Sequence, residues 1–248
     1  MTRTEIHHLH REEFDGPVEV VVHGHWGRPV IVFPSEAGSA HDFERHGLLE
    51  AVRPLVDAGE IKLFCVSSYD DRSWSASWMS TEDRAHAHRR YEDWIVWRVV
   101  PFLVEHCGGR ADIATFGTSM GAFHAVLFAF RHAHLFGRAL AFSGNYDPWS
   151  WRGWGDLGPE AFSTNPTRFL PSIAEGHLHY LRSQLYLTLV VGSGSWEDTT
   201  GANNSTRQLG HLLGVAGLPH EMHVWGQEWP HDWPSWQAQA QVYFPQLR

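Results

Sequence analysis

Cysteine is scarce in this chain: Cys65 and Cys107 are the only two in 248 residues, too few for a disulfide framework. Neither sits beside a base or in a metal-ligand spacing, and Cys65, within the apolar run Ile-Lys-Leu-Phe-Cys-Val, reads as a buried small hydrophobe. Positive charge is scarce too. With 19 Lys and Arg against 28 Asp and Glu, the formal charge is −9, which argues against a nucleic-acid binder that displaces counterions with a basic face. The 19 histidines can shift that balance only below about pH 6.5. There is no run of about 18 consecutive apolar residues and no apolar signal core at the N-terminus. The expectation is a cytoplasmic protein with no nucleic-acid and no membrane partner; the sequence leaves homo-oligomer formation open.

What is present is core-forming material. The chain is 43% hydrophobic and 19% charged, an ordinary globular composition, and its length suits a single domain over residues 1–248. Seven short apolar runs stand between turn signals: Val18–His23, Pro29–Phe33, Ile61–Ser67, Ala111–Phe116, Arg138–Phe142, Leu185–Val191 and Glu221–Trp225. Most lack alternation, as parallel strands buried on both faces do. Gly-His-Trp-Gly-Arg between the first two predicts a hairpin, so the sheet is expected to begin antiparallel. Helical patterns fill the gaps. Ser80 with Asp83 marks a start, Gly108-Gly109 a stop, and 120–136 reads as a buried helix. The alternation predicts an α/β fold with a mostly parallel central sheet and helices on both faces. Residues 145–183, rich in Trp, Gly and Pro, break it and read as a small cap or surface insertion.

The strongest local signal is Gly117-Thr118-Ser119-Met120-Gly121, placed directly between a buried strand and a buried helix. That is the setting of a nucleophile elbow, whose tight turn needs small residues two positions either side of the serine. The helix start lends its positive dipole end, and the Met120 backbone N–H can face an oxyanion. A serine hydroxyl needs a base and an orienting acid to attack, expected downstream in the order acid, then histidine. Past the strand Leu185–Val191 come Glu197 and Asp198, adjacent carboxylates that point differently. Past Glu221–Trp225 comes His231, in the loop where the base belongs. His223 lies within a strand pattern, His23 and His25 read as hairpin surface, and His7, His8 and His10 have no matching ligands nearby for a metal.

Together, Gly117-Thr-Ser-Met-Gly-Ala, Ser143-Gly-Asn-Tyr, Gly192-Ser-Gly-Ser-Trp-Glu-Asp and His231-Asp-Trp-Pro-Ser-Trp resemble the esterase family of the α/β-hydrolase fold. That family includes S-formylglutathione hydrolase, feruloyl and acetylxylan esterases and the mycolyltransferases. The resemblance implies Ser119 as nucleophile and His231 as base. Aligning the glycines of the acid loop with those of the mycolyltransferases implies Asp198 as acid. It also implies a second oxyanion donor in the loop Pro34–Gly38, at Ala37 with Gly38 beside it.

The expected reaction is hydrolysis of carboxylic esters through a Ser-His-Asp triad and an acyl-enzyme, with no cofactor and no metal. The substrate is expected to be a small molecule, an ester of a small or aromatic acid. Trp74, Trp78, Trp149, Trp151, Trp154, Trp196, Trp229 and Trp233 fall in expected loops or element ends and are available to line a pocket, and of these Trp149, Trp196 and Trp233 are the chosen candidates for substrate binding. An acyltransferase using the same three residues, and a non-catalytic binding protein on a hydrolase scaffold, are the competing readings.

Overall fold

A computed structural model describes residues 2–10 and 18–248. Eight strands form one sheet: β1 (Thr4–Leu9), β2 (Val18–His23), β3 (Arg28–Phe33), β4 (Ile61–Val66), β5 (Ile113–Thr118), β6 (Phe136–Phe142), β7 (Tyr186–Val191) and β8 (His220–Val224). Their spatial order is β1-β2-β4-β3-β5-β6-β7-β8. The β1/β2 and β2/β4 pairs are antiparallel and every later pair is parallel. The mostly parallel sheet expected from the sequence is therefore present.

The antiparallel beginning arises differently from expectation. β2 and β3 do not form a hairpin, because β4 lies between them. The 24–27 connection instead crosses the start of β4, so closely that a Cβ on Gly27 would stand 2.4 Å from backbone atoms of Glu60 and Ile61. With φ of +114° as well, that position suits only glycine. His23, expected at a hairpin surface, is fully buried for the same reason.

Ten helices surround the sheet: α1 (Asp42–Arg45), α2 (Leu48–Asp57), α3 (Thr81–Trp94), α4 (Val100–His106), α5 (Met120–Arg131), α6 (Pro159–Ser163), α7 (Pro166–Phe169), α8 (Glu175–Gln184), α9 (Ala202–Val215) and α10 (Trp233–Tyr243). A π-helical stretch, Ile95–Val99, joins α3 to α4. Ser80 caps α3 as its sequence position suggests, accepting from the Asp83 N–H at 3.1 Å. Two apolar cores result. Residues of α3, α4, α5 and α9 fill one face of the sheet, and those of α1, α2 and α10 fill the other. Residues 145–183 form short helices instead of continuing the strand–helix alternation. No helix among the described residues is long and apolar enough to cross a membrane.

Register is what positions the C-terminal ends of the strands. Gly117 pairs with Ala141, Phe142 with Val190, and Val191 with Val224. The ladder continues one step beyond: the Ser119 N–H donates to Phe142 O, Ser143 N–H to Val190 O and Trp225 N–H to Val191 O. The loops that follow β5, β6, β7 and β8 therefore leave the sheet side by side.

One buried charge ties α3 to the end of α5. Glu92 Oε1 accepts from Arg131 Nε at 2.7 Å and from His132 Nε2 at 2.6 Å. Burial alone would raise this carboxyl, but the His132 and Arg131 contacts outweigh it and hold the pKa down to about 2. A depressed carboxyl contributes stability that is complete above its ordinary pKa of 4.5 and is lost as pH falls toward 2. The size of that contribution is on the order of 3 kcal/mol at neutral pH. Glu92→Gln is therefore expected to be much less stable than wild type in urea at pH 7. The gap between them should shrink as unfolding is repeated between pH 4.5 and pH 2, and a gap independent of pH would refute the assignment.

Candidate active site

Ser119 occupies the turn between β5 and α5 with φ +55° and ψ −120°, a conformation costly for a residue with a side chain. The flanking glycines are required by contact. A Cβ on Gly117 would lie 2.1 Å from Gly121 C, and one on Gly121 would lie 2.4 Å from the carbonyl oxygens of Phe33 and Pro34. Close approach of α5 to β5 and to the end of β3 leaves no space for either. The Ser119 hydroxyl is thereby lifted to the mouth of a cavity at the strand ends.

His231, in the loop after β8, places Nε2 2.9 Å from Ser119 Oγ. Its Nδ1 lies 3.0 Å from Glu197 Oε2. The carboxylate facing the imidazole is thus Glu197 and not Asp198. Glu197 is fully buried, whereas Asp198 is exposed. The backbone explains the choice: Trp196 adopts φ +67°, and the turn that follows directs side chain 197 inward and 198 outward. The other Glu197 oxygen accepts from Ser143 Oγ at 2.6 Å and from the Gly192 N–H at 3.2 Å. Trp236 Nε1 donates in turn to Ser143 Oγ at 3.1 Å. A buried carboxylate is tolerated only when its lone pairs are satisfied, and these donors do that.

Ser143 and Trp236 therefore complete the site, although sequence reasoning gave them no role. The available signal was their place in motifs beside Ser119 and His231: Ser143 follows β6 as Ser119 follows β5, and it too has positive φ, +54°. Asp232 is a helix cap, accepting from the Ser235 N–H at 3.0 Å at the start of α10. His223 lies on β8 against Glu221, 3.0 Å away.

On the oxyanion side, Met120 borders the cavity, as does Glu36 from the loop after β3. Ala37 does not serve as expected. Its N–H is directed to Asp70 Oδ2 at 3.3 Å, and the residue has φ +53°. Asp70 is fully buried and its other oxygen is held by His124 Nε2, 2.9 Å away on α5. Gly38 donates its N–H to Ser35 O.

The cavity measures about 510 Å³. Its aromatic walls are Trp74 and Trp151, two of the eight loop tryptophans noted in the sequence but not the three chosen from them. Trp196 is 62% exposed. Trp233 is stacked on His46 at 4.0 Å and packs edge-on against Trp236. Trp149 is half-buried, and its loop contributes the neighbouring Ser150, Trp151 and Arg152 to the cavity instead. Polar residues line much of the remainder, among them Ser75, Ser77, Thr199, Thr200, Arg84 and Arg152.

Comparisons with known proteins bear on the fold and the family. No curated protein sequence matches the chain. Among solved structures, a ferulic acid esterase superposes with a TM-score of 0.76 at 16% identity, covering 99% of this chain and 98% of that one. MPT51 (FbpC1) of Mycobacterium tuberculosis gives 0.74 at 13% identity, covering 99% and 97%. S-formylglutathione hydrolase (FrmB) from Staphylococcus aureus gives 0.69 at 12% identity, covering 100% and 96%. At such identities these likenesses establish the fold, that of the α/β-hydrolases. The family model described as "Putative esterase" matches residues 25–247, nearly the whole chain, and the chain therefore belongs to that family of carboxylic ester hydrolases.

Proposed function

We propose that the chain hydrolyses carboxylic esters through an acyl-enzyme on Ser119, with His231 as general base and Glu197 as the acid that orients it. One observation carries this reading: the unbroken contact from Ser119 Oγ through both nitrogens of His231 to a buried carboxylate. Ser119 gives its proton to His231 Nε2 as its oxygen attacks the ester carbonyl. Glu197 fixes the tautomer with the proton on Nδ1 and stabilises the imidazolium that forms. His231 then protonates the leaving alcohol and later activates the water that releases the acid.

The oxyanion is assigned to the N–H groups of Met120 and Glu36. Met120 opens α5, where the dipole favours negative charge, and Glu36 is the loop residue that borders the cavity. One such donor contributes roughly 3–4 kcal/mol in other enzymes. Asp70 acts as a positioning residue, since its grip on the Ala37 N–H sets the direction of the preceding N–H. The volume of the cavity suits a small or aromatic acyl ester. Trp74 and Trp151 offer a flat apolar wall, the polar side suits a polar alcohol portion, and residues 145–183 act as the cap. The ferulic acid esterase among its structural neighbours fits an aryl substrate of this kind.

Ser119→Ala should lower kcat/KM for a short aryl ester at least about a thousandfold without loss of fold. Glu197→Gln should cost roughly 10³–10⁴-fold, while Asp198→Asn stays within about twofold. A larger loss in the Asp198 variant would overturn the acid assignment, and full activity in Ser119→Ala would overturn the reaction itself.

Asp70→Leu should lower kcat by roughly tenfold or more with KM little changed, because the oxyanion forms only in the transition state. Asp70→Asn, which keeps an acceptor for the Ala37 N–H, should recover much of that loss. Equal losses in the two variants, or a loss confined to KM, would count against the positioning role.

A further inference from the structure

At the sheet edge formed by β1, far in strand order from β5–β8, three side chains unrelated to ester hydrolysis converge. Glu5 and His7 are two residues apart on β1 and so project from the same face. His106 reaches them from the end of α4. The three can present one ligand atom each, all within 4.8 Å of one another. Glu5 Oε2 is 3.3 Å from His7 Nε2 and 3.4 Å from His106 Nε2.

Those separations match the donor spacing around a bound metal ion. A charge-assisted imidazole–carboxylate hydrogen bond contracts to about 2.7–2.9 Å. Imidazole–carboxylate pairs elsewhere in the chain run from 2.6 Å for His132 on Glu92 and 2.9 Å for His124 on Asp70 to 3.3 Å for the surface pair His8–Glu19. Glu5 itself holds Arg3 Nε at 2.6 Å through its other oxygen. Neighbouring donors on a tetrahedral zinc, with bonds of about 2.0–2.1 Å, stand roughly 3.3–3.4 Å apart. The Glu5 contacts have the second spacing. Two imidazoles and one carboxylate also form a zinc-type donor set. All three residues are only partly buried, which leaves room for water as a fourth ligand.

We propose that Glu5, His7 and His106 form a binding site for a divalent transition metal of the zinc type, tying edge strand β1 to α4. His106 lies about 100 residues from Glu5 and His7 in sequence, beyond the reach of any local ligand spacing. Lys62 modulates the site. Its Nζ is 2.7 Å from His106 Nδ1 and 3.2 Å from His106 O. Donation to Nδ1 leaves the ring proton on Nε2 in the metal-free chain. Metal on Nε2 displaces that proton and moves the protonated position to Nδ1, so Lys62 must turn to the carbonyl it already reaches. Its positive charge opposes the cation.

The test is titration of the chelator-stripped full chain with Zn²⁺ by calorimetry, and with Co²⁺ by visible absorption. Wild type should bind one equivalent more than His7→Gln, the other histidines giving the same background in both. Tetrahedral Co²⁺ bands should appear in wild type and vanish in His7→Gln, and Zn²⁺ should raise the melting temperature of wild type more than that of the variant. Lys62→Met, which keeps every ligand, should bind Zn²⁺ several-fold more tightly. Equal stoichiometry and equal cobalt spectra in wild type and His7→Gln would overturn the site, as would binding in Lys62→Met no tighter than in wild type.

Discussion

Parallel register at the C-terminal ends of β5 to β8 is the constraint on which the rest of the active site depends. Because the hydrogen-bond ladder runs one residue past β5, β6 and β8, Ser119 and Ser143 leave the sheet as neighbours. Ser119 belongs to the turn after β5 and Ser143 to the turn after β6. Glu197 stands in the loop after β7, and His231 in the loop after β8. Residues spread over 113 positions meet because the strands that precede them are adjacent in order. A slip of one residue in any of these pairs would turn each strand's side chains to the opposite face, and would move its loop by one residue's rise. The fully buried β5 and almost fully buried β7, with apolar layers on both sides, make such a slip costly.

That rigidity also sustains backbone strain. Ser119, Ser143 and Trp196 all have positive φ without being glycine, at a cost of about 1–3 kcal/mol each. Each conformation serves one contact in the chain from Trp236 through Ser143, Glu197 and His231 to Ser119. Ser119 is raised toward the imidazole, Ser143 is turned to donate to Glu197, and Trp196 turns Glu197 inward. The carboxylate repays part of this by satisfying buried donors: the Ser143 hydroxyl, the Gly192 N–H and the His231 Nδ1–H. Removing any one partner would leave a buried polar group unpaired, which is more costly than the net value of the bond.

What the sequence made legible was whatever local patterning and chain order control. The seven apolar runs, the tight turn at Ser119 and the meeting of His231 with that serine all depend on residues close in sequence or on fold order. The carboxylate that faces His231 did not: glycine alignment favoured Asp198, but the direction of 197 and 198 follows the φ of Trp196, and no composition rule gives tryptophan a left-handed conformation. β1 escaped notice because Thr-Glu-Ile-His-His-Leu is an alternating, largely polar edge strand, held by pairing with β2 more than by burial. The expected hairpin failed because a two-strand signal cannot see a third strand, β4, inserting between the pair. The tryptophans were the least legible, since thirteen of them share one chemistry and only tertiary packing separates Trp151 at the cavity from Trp233 stacked on His46.

The same packing couples the two halves of the catalytic centre. α5 begins directly after Ser119 and is buried from Gly121 to Phe130, with His124 its one polar side chain in that span. His124 is spent on Asp70, whose second oxygen takes the Ala37 N–H. The main-chain carbonyl of Asp70 takes the N–H groups of Ser73 and Ser75, and the Ser75 hydroxyl donates to Glu36 Oε1 at 2.6 Å. The neighbouring His88 ring stacks on His124 at 5.2 Å, and burial holds it well below the usual imidazole range, hence neutral. A single buried carboxylate thus joins the nucleophile helix, the loop after β3 and the Trp74 wall of the cavity. The Ser119 hydroxyl, the loop after β3 and the aromatic wall are then fixed to one another before a substrate arrives, the condition for the preorganised electrostatic stabilisation proposed above.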